Sequence, residues 1–216
     1  MRRTVIVALA ILALAIPALP AVAATNPSPA SVSGMNGTLP SDFAVPAGST
    51  VRISKSTLKM TAPLEVHGNL TISDSTITAP RGIAVSGGTL TLKNVILKAP
   101  VNASGMGDMI TLNSGSFIGN QVTVIGDHCA FHFNGGSSGI TNFVLNEATV
   151  KSSVYAFMIL GGSPQGNKQI TGLTITDTPH GIQAGNVKAR YSFKGVTYQQ
   201  VQHHTEIANP SQVSVS

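Results

Sequence analysis

Eight Asp or Glu residues and six His are what this 216-residue chain offers for proton transfer near neutral pH. The acids are Asp42, Glu65, Asp74, Asp108, Asp127, Glu147, Asp177 and Glu206, and no two are adjacent. A general acid or base must lie within hydrogen-bond reach of the proton it moves. Four residues are catalytic candidates by type and position: Arg81 to neutralise an anion, Asp108 as a carboxylate, and His132 and His180 to carry a proton. Metal chemistry finds less support. Asp127, His128 and His132 resemble a ligand set, but residues four apart on a strand lie about 13 Å apart, too far for one zinc. His203 and His204 are neighbours and point to opposite faces of a strand. No metal and no cofactor is expected. Cys129 is the lone cysteine, which excludes an intramolecular disulfide, and Ala130 and Phe131 beside it mark a buried, inert thiol.

The elements that must position these groups follow from composition and repetition. Charged residues are 10% of the chain, aromatics 5%, and Trp is absent, whereas the chain holds 22 Gly, 21 Thr and 22 Ser. Helical bundles and coiled coils need far more Glu, Lys, Arg and Ala, so both are excluded. With 42% apolar residues the chain can bury a core, which excludes intrinsic disorder. One pattern recurs: apolar, any, a turn former, any, any, apolar. It begins at Ile53, Ile72, Leu92, Phe117, Ile140, Ile170 and Phe193, at intervals of 19 to 30 residues. Its third position holds Lys55, Asp74, Asn94, Gly119, Asn142, Gly172 and Gly195, mostly residues that accept a bent or left-handed backbone. A second pattern of alternating apolar residues ending in Gly or another turn former lies between its copies, from Leu64, Ile83, Ile110, Phe131, Phe157 and Ile182.

Short strands in repeats of this length cannot bury their apolar residues alone; stacking coil on coil does so. The expectation is an all-β fold, a parallel β-helix of about seven short coils. One inward column reads Leu58, Ile77, Leu97, Val122, Leu145, Ile175 and Tyr198. One outward column reads Glu65, Ala84, Thr111, His132, Met158 and Gln183, beside a second of His67, Ser86, Asn113, Asn134, Leu160 and Gly185. Phe131 and Phe133 point inward and force His132 out. The hydrogen-bonding set Glu65, His67, Asn113, His132, Asn134, Tyr155 and Gln183 suits a polyhydroxylated ligand, with Tyr155 available to stack on a sugar ring. Phe143 and Met158, if outward, are apolar contacts for self-association.

The start of the chain has the three-part layout of a secretory signal peptide. Arg2 and Arg3 precede an apolar run from Val5 to Ile16, and Ala21-Val22-Ala23 fits the cleavage rule. The run is too short to span a bilayer, and no later segment spans one. The expected organisation is a signal peptide over 1–23, a lead-in and N-terminal cap over 24–48, the parallel β-helix over 49–203 and a polar tail over 204–216. Without Arg2 and Arg3, Lys plus Arg falls from 13 to 11 against 8 acids, so the formal charge falls from +5 to +3. That excess is too weak to point to nucleic acid. The protein is expected to be exported, to the periplasm, the cell surface or the medium.

The run of apolar-x-Asn/Gly-x-x-apolar turns resembles the right-handed parallel β-helix, or pectin-lyase-like, superfamily, over about 49–203. The resemblance implies a right-handed coil with chemistry or binding on one long face. It implies no single activity. Hydrolases of that kind carry an Asp-Asp pair and a Gly-His-Gly, and calcium-dependent lyases carry clustered Asp; this chain has none of these. The reading is therefore an exported, non-catalytic β-helix that binds a polysaccharide or other cell-surface glycan, or presents a cell-envelope surface. Two alternatives stay open: a small polysaccharide lyase or glycoside hydrolase using Arg81, Asp108, His132 and His180, and a structural or assembly module.

Overall fold

Strict alternation of apolar and small polar residues gives strands with one buried face, and the computed structural model shows those strands stacked in parallel. It describes residues 30–99, 107–134 and 139–216. The expected signal peptide, residues 24–29 of the lead-in and the loop residues 100–106 lie outside them. Within the described residues the strands are β1 (Ser31–Ser33), β2 (Asn36–Thr38), β3 (Thr50–Ser54), β4 (Thr57–Lys59), β5 (Leu64–Val66), β6 (Asn69–Thr78), β7 (Ile83–Lys98), β8 (Asp108–Ile125), β9 (Cys129–Phe133), β10 (Ile140–Lys151), β11 (Tyr155–Ile159), β12 (Lys168–Thr176), β13 (His180–Ala184), β14 (Tyr191–Gln199), β15 (His203–Ile207) and β16 (Val213–Val215).

Every ladder is parallel, and the chain winds as a β-solenoid of about eight turns. Each full coil has three faces. The first runs through β1, β3, the early part of β6, the middle of β7 and β8, and the early parts of β10, β12 and β14 to β16. The second holds β2, β4 and the ends of β6, β7, β8, β10, β12 and β14. The third holds β5, the starts of β7 and β8, then β9, β11, β13 and β15. The ladders reach past the repeat seen in the sequence at both ends. β1 and β2 form an incomplete first coil, with Leu39, Phe43 and Val45 buried beneath the next. At the other end β15 and β16 carry the third and first faces through 203–215, where the sequence pattern shows only a polar tail.

The corner between the first and second faces is a single residue with positive φ. It is occupied by Lys55, Asp74, Asn94, Gln121, Glu147, Gly172 and Gly195, at φ between 48° and 65°. Gln121 and Glu147 stand where the sequence pattern puts Gly119 and Asn142. In-register pairing decides this: Gly119 lies beside Leu92 and Leu145, in a core column. A Cβ at Gly119 would press on the Phe117 ring and Leu145, so this glycine makes room for neighbours rather than for a turn. The inward column consequently reads Leu58, Ile77, Leu97, Val124, Val150, Ile175 and Tyr198, with Val124 and Val150 in place of Val122 and Leu145. Phe143 moves with the register and is fully buried, which removes it as an assembly contact. Six Phe rings (117, 131, 133, 143, 157 and 193) fill the middle of the solenoid, with Phe117 on Phe143 and Phe131 on Phe157 each stacked at 4.8 Å.

The corner from the third face back to the first packs backbone on backbone. A Cβ at Gly88 would overlap the Gly68 carbonyl oxygen, and one at Gly115 the Gly88 carbonyl oxygen. This explains the glycine that ends the second sequence pattern. Gly88→Ala is expected to lose roughly 2–4 kcal/mol of stability, since neither backbone can give way. Gln121→Gly is expected to keep the fold and to gain up to about 1 kcal/mol, because it removes a left-handed non-glycine residue. Urea unfolding midpoints of the two variants check both expectations.

Candidate functional site on the third face

The third face carries the side chains with chemistry. Its outward column runs Glu65, Ala84, Thr111, His132, Met158, Gln183 and Glu206, each paired in register with the next. The first six are those the sequence pattern puts there, and Glu206 extends the column. Phe131 and Phe133 are buried and His132 is turned out, as alternation requires. The neighbouring column is a side-chain ladder at its centre. Asn134 Nδ2 donates to Asn113 Oδ1 at 2.5 Å, and Asn113 Nδ2 donates to Ser86 Oγ at 3.1 Å. His67 is tied down separately, its Nδ1 lying 2.8 Å from the Ser86 carbonyl oxygen.

Two acid–histidine pairs lie along this face. Asp108, at the start of β8, has Oδ2 at 2.5 Å from His132 Nδ1, and its Oδ1 is 3.7 Å from His128 Nδ1. Both histidines thus reach one carboxylate, although an extended strand would separate them by about 13 Å. The chain bends at Gly126 and Asp127, both with positive φ, so His128 precedes β9 instead of lying on it. Three coils above Asp108, His180 Nδ1 is 3.1 Å from Glu206 Oε2, and Gln183 Nε2 donates to the same oxygen at 3.5 Å. Between the pairs rises a stack of rings: Tyr155 on His180 with centroids 4.5 Å apart, and His180 on His203 at 5.0 Å. The edge of His128 meets Tyr155 at 5.3 Å. One face of Tyr155 is therefore covered by His180 and is not open to stack on a sugar ring.

His132 has no ring nitrogen open to a ligand: Nδ1 is on Asp108, and Nε2 is buried without a hydrogen-bond partner. His180 differs, with Nδ1 engaged and the side chain about a quarter exposed. Arg81 is exposed in the turn one coil below Asp108, next to Gly82, which packs against the Asp108 carbonyl. Glu65 is exposed near the opposite end of the column from Gln183, so these two sit in one line and not in one cluster. Sequence reasoning leaves His203 and Glu206 outside the candidate set because they fall in the apparent tail. Of the inward positions there, His203, Thr205 and Ile207, only Ile207 is apolar, so the alternation that marks the other coils fades. Among the described residues no group of three or more His, Cys, Asp or Glu is placed to hold a metal ion.

Two buried groups at the base of the face are chemically quiet. Burial, with the Asp108 and Asp127 charges adding to it, pushes the Cys129 thiol well above its ordinary value and keeps it protonated. Burial is also the main reason that the Asp127 carboxyl is raised to about 6; the His128 amide hydrogen bond works against it and the Asp108 charge with it. Asp127 Oδ2 has no hydrogen-bond partner.

Comparisons with protein-family models and with curated protein sequences match nothing. Among solved structures, this chain is similar to the catalytic domain of a GH87 alpha-1,3-glucanase variant in complex with tetrasaccharides, at 9% identity and a TM-score of 0.25. That likeness covers 88% of this chain and 61% of the other, so the chain spans less than two thirds of that domain. Among the described residues, no helix is long and apolar enough to cross a membrane.

The raised Asp127 value fixes the sign of a pH effect. The folded protein binds this proton more tightly than the unfolded chain, whose carboxyl titrates near 3.8. The stabilisation is complete below about pH 4 and is lost as pH rises through about 6. Asp127→Asn keeps an acceptor for the His128 amide and tolerates the left-handed backbone. It is expected to be roughly 1–3 kcal/mol more stable than the parent at pH 7.5, with the gap closing toward pH 4. Urea unfolding at both pH values measures this, and an Asn variant that is less stable at pH 7.5 contradicts it.

Proposed function

We propose that this is an exported β-helix protein of the pectin-lyase-like kind that binds an extended carbohydrate along its third face without cleaving it. The observation that carries the reading is the polar column from Glu65 through His132 and Gln183 to Glu206, with the Ser86–Asn113–Asn134 ladder beside it. Glu65, Thr111, Gln183 and Glu206 offer hydrogen-bonding groups along this line, interrupted by Ala84, Met158 and the closed His132, and together with the ladder beside them they suit the hydroxyls of a chain laid along the face. A non-catalytic role is supported by the closed state of His132, whose two ring nitrogens are engaged or buried. Asp127, whose carboxyl is buried, is the acid whose charge interacts with Asp108, and glycoside cleavage by general acid and base needs two carboxylates placed across the bond.

One observation favours the enzymatic alternative. His180 is held by Glu206 through Nδ1 and is partly exposed, the arrangement of a base kept in one tautomer. A lyase or hydrolase built on this face would use His180 for the proton, with Asp108 and Arg81 three and four coils away, about 14 and 19 Å, and so acting on other units of the chain.

A polysaccharide panel on the purified mature protein separates the two. Binding is expected with no new reducing or unsaturated ends. Asn134→Ala and Gln183→Ala are each expected to weaken binding about five-fold, the worth of one hydrogen bond of about 1 kcal/mol. Cleavage that disappears in His180→Ala would replace the binding reading with the enzymatic one. For export, the secreted protein is expected to begin at Ala24 or Thr25, read by N-terminal sequencing; retention of Met1 in the mature protein contradicts it.

A further inference from the structure

Where the chain leaves the third face after β11 and after β13, it frames a concavity of about 340 Å³ lined by Leu160, Pro164, Asn186, Val187 and Lys188, with Gly161 and Gly162. The concavity continues the Asn ladder. Ile159 pairs with Phe133, so Leu160 takes the place above Asn134, in the column that holds Ser86, Asn113 and Asn134 in the coils below. A leucine thus stands where the ladder has hydrogen-bonding groups. It is 50% exposed, the most exposed large hydrophobic side chain among the described residues. The four residues after Asn134 are Gly-Gly-Ser-Ser and bring no apolar side chain to cover it.

Gly185 stands above Leu160 in the same column, and the backbone does not require glycine there. Its φ is not positive, and a Cβ built on it would meet only the Ile159 carbonyl oxygen and Leu160 Cδ2, both at the ordinary contact distance of 3.8 Å. Gly88 and Gly115, by contrast, have no room for a side chain. The side chain missing at Gly185 leaves the space over Leu160 open. The walls of that space are preformed. Tyr191, which is buried, donates its hydroxyl to the Gly161 carbonyl at 2.6 Å, and a Cβ at Gly162 would overlap the same hydroxyl. Apolar surface comes from Leu160, Pro164 and the buried Val187. Polar groups are few: Asn186 Oδ1 accepts from Asn209 Nδ2 at 3.5 Å, its own amide N–H groups donate to no described residue, and Lys188 is exposed.

We infer that this concavity receives an acylated sugar unit, an acetamido sugar being the simplest, of the glycan that lies along the third face. The methyl of the acyl group covers Leu160 and Val187 and removes apolar surface from water. Its carbonyl oxygen accepts from the Asn186 amide or the Lys188 ammonium. The ring hydroxyls stay beside Asn134 and Gln183, the latter about 7 Å from Gly185 along the strand. A sugar with hydroxyls alone leaves Leu160 wet, and a purely apolar ligand makes no use of the ladder; an acylated sugar has a group for each. The volume lies near the lower end of the range of about 300–1,000 Å³ for small-molecule pockets, the size for one substituted sugar unit. The inference rests on the carbohydrate reading of the third face and narrows its ligand to glycans that carry acyl groups.

The test is amide chemical-shift titration of the purified mature protein with N-acetylglucosamine and its β-1,4 tetramer, and with glucose and cellotetraose as their counterparts without the acyl group. The acetylated ligands are expected to shift the amides of Leu160, Gly185 and Asn186, and the others to bind there at least ten-fold more weakly. Leu160→Asn, which extends the polar ladder, is expected to weaken the acetylated tetramer about ten-fold without weakening cellotetraose. Gly185→Leu fills the space over Leu160 and is expected to abolish the shifts. Leu160 is half exposed and a Gly185 Cβ makes only ordinary contacts, so both variants fold whether or not the site exists, and urea midpoints check this. Equal binding of acetylated and plain sugars at these amides, no shift there from any of the four, or a preference that survives both variants overturns the inference. Shifts at Thr111 and Gln183 from both tetramers, with Leu160 and Asn186 unmoved, also overturn it but leave the proposed function standing. Shifts at Leu160 and Asn186 with Thr111 unmoved support the pocket and count against the third-face groove.

Discussion

Everything in this molecule depends on register between successive coils. A parallel ladder places each residue about 4.8 Å above its counterpart, so a residue type tolerated once must be tolerated by the coils on both sides. The aromatic core follows from that constraint: Phe117 on Phe143 and Phe131 on Phe157 stack because their strands pair residue for residue. So does Gly119, which has no turn to make and serves the rings around it. Register also sets the corners. Stacking demands one left-handed residue per coil at the same height, and the chain supplies Gln and Glu there in two coils at a local cost of about 1–2 kcal/mol each.

The same constraint generates the third face. The buried residues on either side of His132 along the strand, Phe131 and Phe133, hold the backbone, and alternation turns the residues between them out into one line. The ring stack of Tyr155, His180 and His203 is the aromatic form of the Asn ladder: both are like groups repeated at coil spacing, satisfied by one another. Order of this sort favours a ligand that is itself extended and repetitive. It disfavours the convergence of several charged groups on one reacting atom, and the Asp108–His132 pair, with its buried Nε2, fits that description.

The departures from repetition occur at bends and insertions. At Gly126 and Asp127 the chain turns before β9, and His128 and His132 both reach the Asp108 carboxylate of the neighbouring coil. At 161–167 an inserted loop is secured by the buried Lys168 and Tyr191 side chains. Lys168 breaks its column in the one place where an amine can reach out to carbonyls of the loop.

The sequence by itself determines the strand alternation, the parallel β-helix, and the third-face column from Glu65 to Gln183. Each of these is local: a five-residue alternation ending in glycine states which side chains point out, and its repetition states what lies above what. Tertiary structure alone decides that the left-handed corner is Gln121 and not Gly119, because intrinsic preference for that backbone is weaker than the demand of pairing with Leu92 and Leu145. It also decides that Phe143 is core, that His203–Ile207 continues the third face, and that Asp108 meets two histidines at once. These depend on contacts between residues some 20 to 26 positions apart, whose alignment is shifted by every insertion between coils and is fixed only when the coils stack.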